Sequence, residues 1–197
     1  TTTVALSSTD RAGNTGTGSF TVTVRDTTAP ALTVPASRVL EATSAAGAVA
    51  TFAPSATDAV GVTSLTTSAP SGATFPLGTT TVTVTAKDAA GNTTTGSFTV
   101  TVRDTTAPAF LSLTPSTGTL WPPNHQMVAV RLTALASDVV GLASLRIIGV
   151  TSSEPDNGLG DGDTAGDIQV TGDLTLNLRA ERGGKGPGRT YTITVEA

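Results

Sequence analysis

Twelve residues occur twice in this 197-residue chain: Ser19–Pro30 and Ser97–Pro108 both read SFTVTVRDTTAP. Phe20 and Phe98 lie 98 − 20 = 78 positions apart, a period the size of one small domain. Within each copy the apolar residues alternate with Thr at a period of two, the signature of a half-buried strand. Phe20, Val22 and Val24, and likewise Phe98, Val100 and Val102, are therefore predicted to close one core each. The Asp-Thr-Thr-Ala-Pro that follows is a short stiff connector, because proline fixes its own φ and restricts the residue before it. A chain built on this repeat reads as a string of similar modules.

Composition narrows the module type. Hydrophobic residues are 38% and charged residues 13% of the chain, with Gly 21 and Pro 11. Thr is about one residue in five, and β-branched side chains favour pleated surfaces over helix interiors. No long segment carries apolar residues at helical spacing. The expected fold class is all-β: tandem immunoglobulin-like (fibronectin-III-like) antiparallel β-sandwiches with almost no helix. A net charge of −4 argues against nucleic acid, which needs a basic face. No apolar run of about 18 residues is present, so no membrane-spanning helix is expected. With Cys 0, disulfides, thiolate metal sites and cysteine nucleophiles are excluded.

Residues 1–30 match residues 79–108 at 23 of 30 positions. Residues 1–26 therefore read as the C-terminal strands of a truncated domain, a two-stranded remnant cut from a longer protein and marginal on its own. Residues 27–106 read as one complete β-sandwich of about seven short strands. Ala56–Gly61 and Asp88–Asn92 are expected as its turns, with Val82 and Val84 facing inward. Residues 107–197 begin as a relative of that unit: Ser137-Asp138-Val139-Val140-Gly141 echoes Thr57-Asp58-Ala59-Val60-Gly61 at 138 − 58 = 80 positions. They then diverge into a second sandwich that lacks its last strand. Tyr191 falls where a tyrosine corner is expected.

The run Ala56-Thr57-Asp58-Ala59-Val60-Gly61 is followed by Ser71-Gly72-Ala73-Thr74-Phe75-Pro76-Leu77-Gly78-Thr79. Val82-Thr83-Val84-Thr85-Ala86-Lys87-Asp88-Ala89-Ala90-Gly91-Asn92 and the closing Ser97-Phe98-Thr99-Val100-Thr101-Val102 complete the pattern. Together they resemble the hyalin repeat (HYR) domain, fully over residues 27–106 and as a tail over 1–26. The resemblance implies an extracellular immunoglobulin-like module, found in tandem in surface and secreted proteins and linked to adhesion. Animal members usually carry a cysteine pair; its absence points to the bacterial form. The end of the chain, with Leu120-Trp121-Pro122-Pro123-Asn124-His125 and Arg179-Ala180-Glu181-Arg182, is similar to a C-terminal module of bacterial secreted proteins.

Three groups of residues carry candidate chemistry. In an immunoglobulin-like topology the linker Asp26 and the turn residues Asp58 and Asp88 converge at one pole, with Asn92 nearby. Three carboxylates with backbone carbonyls suit Ca²⁺, a hard cation taking about six to eight oxygens. Asp104 and Asp138 hold the matching places at the second joint. The alternative is that each Asp caps its own turn. The second group is the acidic run Asp156, Asn157, Asp161, Asp163 and Asp167, a further Ca²⁺ candidate. Its rival is pairing with Arg179, Arg182, Lys185 and Arg189. The third is Trp121, which either stacks on a sugar ring or is tucked into the sandwich edge by Pro122-Pro123.

No acid/base constellation or nucleophile motif appears, so an enzyme is not expected. The expected function is a structural or adhesive stalk segment of a large extracellular protein, stiffened by calcium. Its partners are neighbouring domains of the same chain and a cell-surface glycan or protein. A glycan- or surface-binding accessory module of a secreted enzyme is the alternative. A subunit that self-associates by strand complementation into a filament is a further one.

Overall fold

The computed structural model describes residues 1–156, 166–182 and 188–197. Among the described residues it is all-β, with no helix, and it divides into two compact units.

The first unit comprises Thr1–Leu40 and Ala48–Val102. It opens with a hairpin of β1 (Thr2–Thr9) and β2 (Thr15–Val22), in register from Thr2↔Val22 to Thr9↔Thr15. Asp10 closes the turn, its Oδ1 accepting from the Ala12 and Asn14 amides at 2.8 and 2.9 Å. The hairpin forms a sheet of its own. Phe20 is 53% exposed, Val22 47% and Val24 92%. These three residues do not close a core, contrary to the sequence expectation. A period of two selects a face, but burial needs a second layer, and none of the described strands pairs with this hairpin.

The sandwich follows as β3 (Ala31–Thr33), β4 (Arg38–Glu41), β5 (Ala48–Val49) and β6 (Ser55–Thr57). It continues as β7 (Val62–Thr67), β8 (Thr74–Phe75), β9 (Gly78–Asp88) and β10 (Thr93–Arg103). One sheet has the order β4-β10-β9-β7; β3 pairs with β6 and β5 with β8. Alternation decides the core. Val82, Val84, Phe98, Val100 and Val102 are all buried, while the Thr residues between them are exposed or half-buried. Each such side chain contributes about 1.5–3 kcal/mol on burial. Phe98 meets Phe52 edge-on with ring centroids 4.9 Å apart. Gly96 permits the close approach of β10 to the β3 region, since a Cβ there would lie 2.8 Å from Val34 Cγ1. Two features depart from the sequence reading: Ala56 and Thr57 belong to strand β6 rather than to a turn, and β4 is a strand.

The second unit comprises Glu41–Gly47 and Arg103–Ala197. Its strands are β11 (Ala109–Pro115), β12 (Met127–Ser137), β13 (Arg146–Ser152), β14 (Ile168–Gly172), β15 (Thr175–Arg179) and β16 (Tyr191–Glu196). They form a four-stranded sheet, β11-β12-β15-β14, and a two-stranded sheet, β13-β16. Val130, Leu132, Leu176 and Leu178 are the buried centre, with Ile147, Val150, Tyr191 and Ile193 packed against it. The Tyr191 hydroxyl donates to the Arg179 carbonyl at 3.0 Å, twelve residues upstream. In the same unit Glu41 accepts from the Thr105 amide at 2.7 Å and from the Thr105 and Thr106 hydroxyls at 2.9 and 3.2 Å.

Candidate metal centre

Three chain segments meet at one end of the first unit. Asp58 follows β6, Asp88 ends β9, and Asp26 precedes β3. The pairings Ala31↔Thr57 and Val62↔Asp88 bring these ends together. One carboxylate oxygen from each of Asp26, Asp58 and Asp88 lies within 4.8 Å of the other two. Asp88 is 2% exposed, and Asp26 and Asp58 are half-buried.

Local hydrogen bonds fix each side chain. Asp58 Oδ1 accepts from the Val60 and Gly61 amides at 2.8 and 3.1 Å. Asp88 accepts from the Asn92 amide and from Asn92 Nδ2, both at 2.8 Å. Burial pushes the Asp88 carboxyl up, but the Asn92, Gly91 and Ala90 donors outweigh it and hold Asp88 below the ordinary carboxylate value. Asn92 Nδ2 also reaches the Asp26 and Thr28 carbonyls at 3.4 and 3.1 Å, and the Thr94 hydroxyl donates to the Pro30 carbonyl at 2.6 Å. The linker is thereby sewn to the start of β10. Asp26 Oδ1 accepts from the Thr28 amide at 3.0 Å, whereas Asp26 Oδ2 is buried with no hydrogen-bond partner.

That orphaned oxygen is the notable feature of the group. A buried acceptor without a donor carries its full desolvation cost, and the carboxylate it belongs to has an oxygen within 4.8 Å of one from each of Asp58 and Asp88. Two unit charges about 5 Å apart repel by about 3 kcal/mol at an effective dielectric constant of about 20. A hard divalent cation answers both costs, and its preferred ligands are the carboxylate oxygens and backbone carbonyls found here. The donor set fits Ca²⁺.

The remaining candidate residues lie in the second unit. Asp104 Oδ1 accepts from the Thr106 amide at 3.0 Å, repeating the Asp26–Thr28 turn. Asp138 Oδ1 accepts from the Val140 and Gly141 amides at 2.8 and 3.1 Å, repeating Asp58. Among the described residues no third carboxylate joins these two. Of the acidic run, Asn157, Asp161 and Asp163 lie outside the described residues, as does Lys185. Asp156 accepts from the Gly166 and Asp167 amides at 3.1 and 3.2 Å, bonds that lower its pKa. Asp167, 2% exposed, pairs with Arg179 and Arg189.

Arg189 is the hub of that network. It also reaches Glu181 at 3.0 Å and Glu154 at 3.3 Å. Burial and the neighbouring Asp167 push the Glu181 carboxyl up, while His125 and Arg189 work against them. The sequence reading gave pairing with Arg179 and Arg189 as the rival to a cation at the acidic run; Asp167 makes both pairs, and the Arg189 side chain is 1% exposed. Its position two residues before Tyr191, on the inward parity of β16, was the available signal.

Trp121 is 76% exposed and is not tucked into the sandwich edge. No described strand pairs with its segment.

Fold and site together define an immunoglobulin-like β-sandwich module with three convergent carboxylates at one end. Residues 25–102 match the family model of the HYR domain. The chain is 45% identical over 116 residues to hyalin of Lytechinus variegatus, covering 54% of this chain and 22% of that protein. It is 44% identical over 109 residues to hyalin of Strongylocentrotus purpuratus, covering 51% and 9%. The chain thus spans less than a quarter of the curated relatives it matches. The human desmocollin-1 ectodomain aligns over 95% of this chain and 39% of its own at 13% identity, with a TM-score of 0.28, a likeness too loose to bear on function. Among the described residues no helix is long and apolar enough to cross a membrane.

Proposed function

We propose that the chain is a segment of an extracellular adhesive or spacer array, and that its HYR domain binds one Ca²⁺ ion through Asp26, Asp58 and Asp88. The observation that carries the metal assignment is the buried, unpartnered Asp26 Oδ2 on a carboxylate that converges with those of Asp58 and Asp88. The extracellular and adhesive setting is supported by the HYR domain and the hyalin relatives. In this reading the ion locks the Asp26–Pro30 linker onto the turns after β6 and β9, so the segment that leads into the module cannot hinge. Partners are neighbouring modules of the same protein and a surface protein or glycan.

Calorimetric titration with Ca²⁺ tests the ion directly. One saturable site that vanishes in Asp26→Asn is expected. No binding heat at millimolar Ca²⁺, with an unchanged melting curve, overturns it. A glycan-binding role for the second unit is favoured by one observation, the 76% exposure of its single Trp121. Glycan-array binding lost in Trp121→Ala supports that role; a blank array removes it.

A further inference from the structure

Tension along the chain has to cross the sandwich of the first unit, entering at Asp26 and leaving at Arg103, the last residue of β10. Its route is set by two segments that lie side by side. Asn92 Nδ2 donates to the Asp26 and Thr28 carbonyls at 3.4 and 3.1 Å, and the Thr94 hydroxyl donates to the Pro30 carbonyl at 2.6 Å. Farther along, Gly96 lies so close to Leu32 and Val34 that a Cβ on it would meet their side chains at 3.3 and 2.8 Å. The Thr99 amide donates to Ser37 Oγ at 2.9 Å, and β4 then pairs with β10. The Ala42 amide reaches the Arg103 carbonyl at 2.9 Å. Residue numbers rise together along this line, from Thr28 beside Asn92 to Ala42 beside Arg103. The entry segment and β10 are therefore parallel.

That direction decides how a pull is resisted. Asp26 is drawn out past the start of β10, and Arg103 is drawn out past its end. The two segments are driven in opposite senses along their shared axis, so the contacts between them are loaded together and fail together. Antiparallel segments would put entry and exit at the same end, and a pull would open the contacts one at a time. Strands β5 to β9 lie between the two segments in sequence and stay outside the path of the tension while the contact holds. Buried Phe98, Val100 and Val102 anchor β10 to the core beneath. At the exit, Glu41 accepts from the Thr105 amide and from the Thr105 and Thr106 hydroxyls, which ties the chain leaving β10 back to the end of β4.

We propose that the first unit is a tension-bearing module, and that the parallel contact of residues 26–42 with residues 92–103 is the element that resists the pull. This goes beyond a spacer or adhesive role. A spacer needs only length, whereas this arrangement withstands force applied along the chain and yields to force applied across it. Forced unfolding is governed by the unfolding rate rather than by equilibrium stability. A contact on this line therefore matters under force out of proportion to its share of the equilibrium stability.

Single-molecule force spectroscopy on the full chain tests this. With Cys 0, two introduced cysteines are unique attachment points. Thr27→Cys with Arg103→Cys draws the parallel segments past each other. Ala45→Cys with Arg103→Cys draws apart the neighbouring ends of β4 and β10. All three positions are exposed. The measurement is made in chelator, so its outcome is independent of the calcium assignment. At one loading rate the first pair should rupture at about twofold higher force or more, because its contacts fail together rather than in turn. The event is recognised by its length. Its 103 − 27 = 76 steps of about 3.3–3.6 Å, less the ~33 Å span of β10, lengthen the chain by about 220–240 Å. Thr94→Val removes the hydroxyl bond to Pro30 and should lower the force for the first pair. Thr63→Val removes a similar hydroxyl bond, from β7 to the Lys87 carbonyl, that lies off the line, and should leave that force unchanged. Urea denaturation confirms that each variant is folded, and the comparison of directions needs neither threonine variant. Equal forces in the two directions overturn the proposal, and so does a Thr94→Val force no lower than that of Thr63→Val.

Discussion

Asp26→Asn is the sharpest perturbation of the carboxylate group, because its effect should change sign with calcium. The substitution keeps an Oδ1 to accept from the Thr28 amide, which is 3.0 Å away in the native turn. It replaces the buried, unpartnered Oδ2 with a neutral NH₂ that can donate to the carboxylates within 4.8 Å. Without calcium, two of the three like-charge pairs disappear. The half-exposed setting of Asp26 and Asp58 limits each pair to about 1 kcal/mol after solvent and salt screening, so the variant should gain about 1–2 kcal/mol. With calcium at about 100 times its Kd, the native chain gains about 2.7 kcal/mol and the variant little. The order of stability therefore reverses. For a module of this size 1 kcal/mol moves Tm by about 4–8 °C, so differential scanning calorimetry resolves both arms. The single Trp121 lies in the second unit, and its fluorescence transition serves as the internal control. A variant less stable than the native chain without calcium, or an equal calcium shift in both proteins, refutes the reasoning.

The repeated strands offer a second test with identical letters and opposite outcomes. Phe98→Ala, at a site 4% exposed and stacked edge-on against Phe52, should cost about 3–5 kcal/mol in urea denaturation, whereas Phe20→Ala, 53% exposed, should stay within about 0.5 kcal/mol. Arg189→Ala leaves the Asp167 and Glu181 carboxylates buried without their main counter-charge, and should cost the second unit about 3–5 kcal/mol in the same assay. Glu41 is held below its ordinary pKa of 4.5 by the Thr105 amide first, then by the Thr105 and Thr106 hydroxyls. The stability gap between the native chain and Glu41→Gln should therefore be present above pH of about 5 and shrink as pH falls through that lowered value. Chemical denaturation at several pH values measures it, and a gap that widens on acidification contradicts the assignment.

What the sequence disclosed follows from which interactions are local. Alternation is local, so the inward rows Val82, Val84, Phe98, Val100 and Val102 were readable, as was the all-β class. Turn capping is local too, and the stretches that begin at Asp10, Asp58, Asp88 and Asp138 form the caps their letters imply. Whether a row is covered is not local. Phe20, Val22 and Val24 carry the same alternation as their twins and remain in water, because coverage comes from strands far away in sequence. Short strands such as β4 and β6 escaped notice because four and three residues leave no period to detect. The burial of Arg189 was not legible for a related reason: the carboxylates of Glu154, Asp167 and Glu181, which make it tolerable, come from other stretches of the chain.

The comparison between copies also separates capping from cation binding. Asp10 is the counterpart of Asp88 at the 78-residue offset, and its bonds to Asn14, 2.9 Å to the amide and 2.9 Å to Nδ2, reproduce those of Asp88 to Asn92. Asp104 reproduces Asp26, and Asp138 reproduces Asp58. Each cap therefore forms whether or not the other carboxylates are beside it, and capping alone accounts for every one of these bonds. It does not account for Asp26 Oδ2, which the linker carries into a buried place beside Asp58 and Asp88 and leaves without a donor. A turn needs only Oδ1 of that residue. The second oxygen is where the structure asks for something more than a turn, which is why Asp26, rather than the better-buried Asp88, is the residue on which the calcium assignment stands or falls.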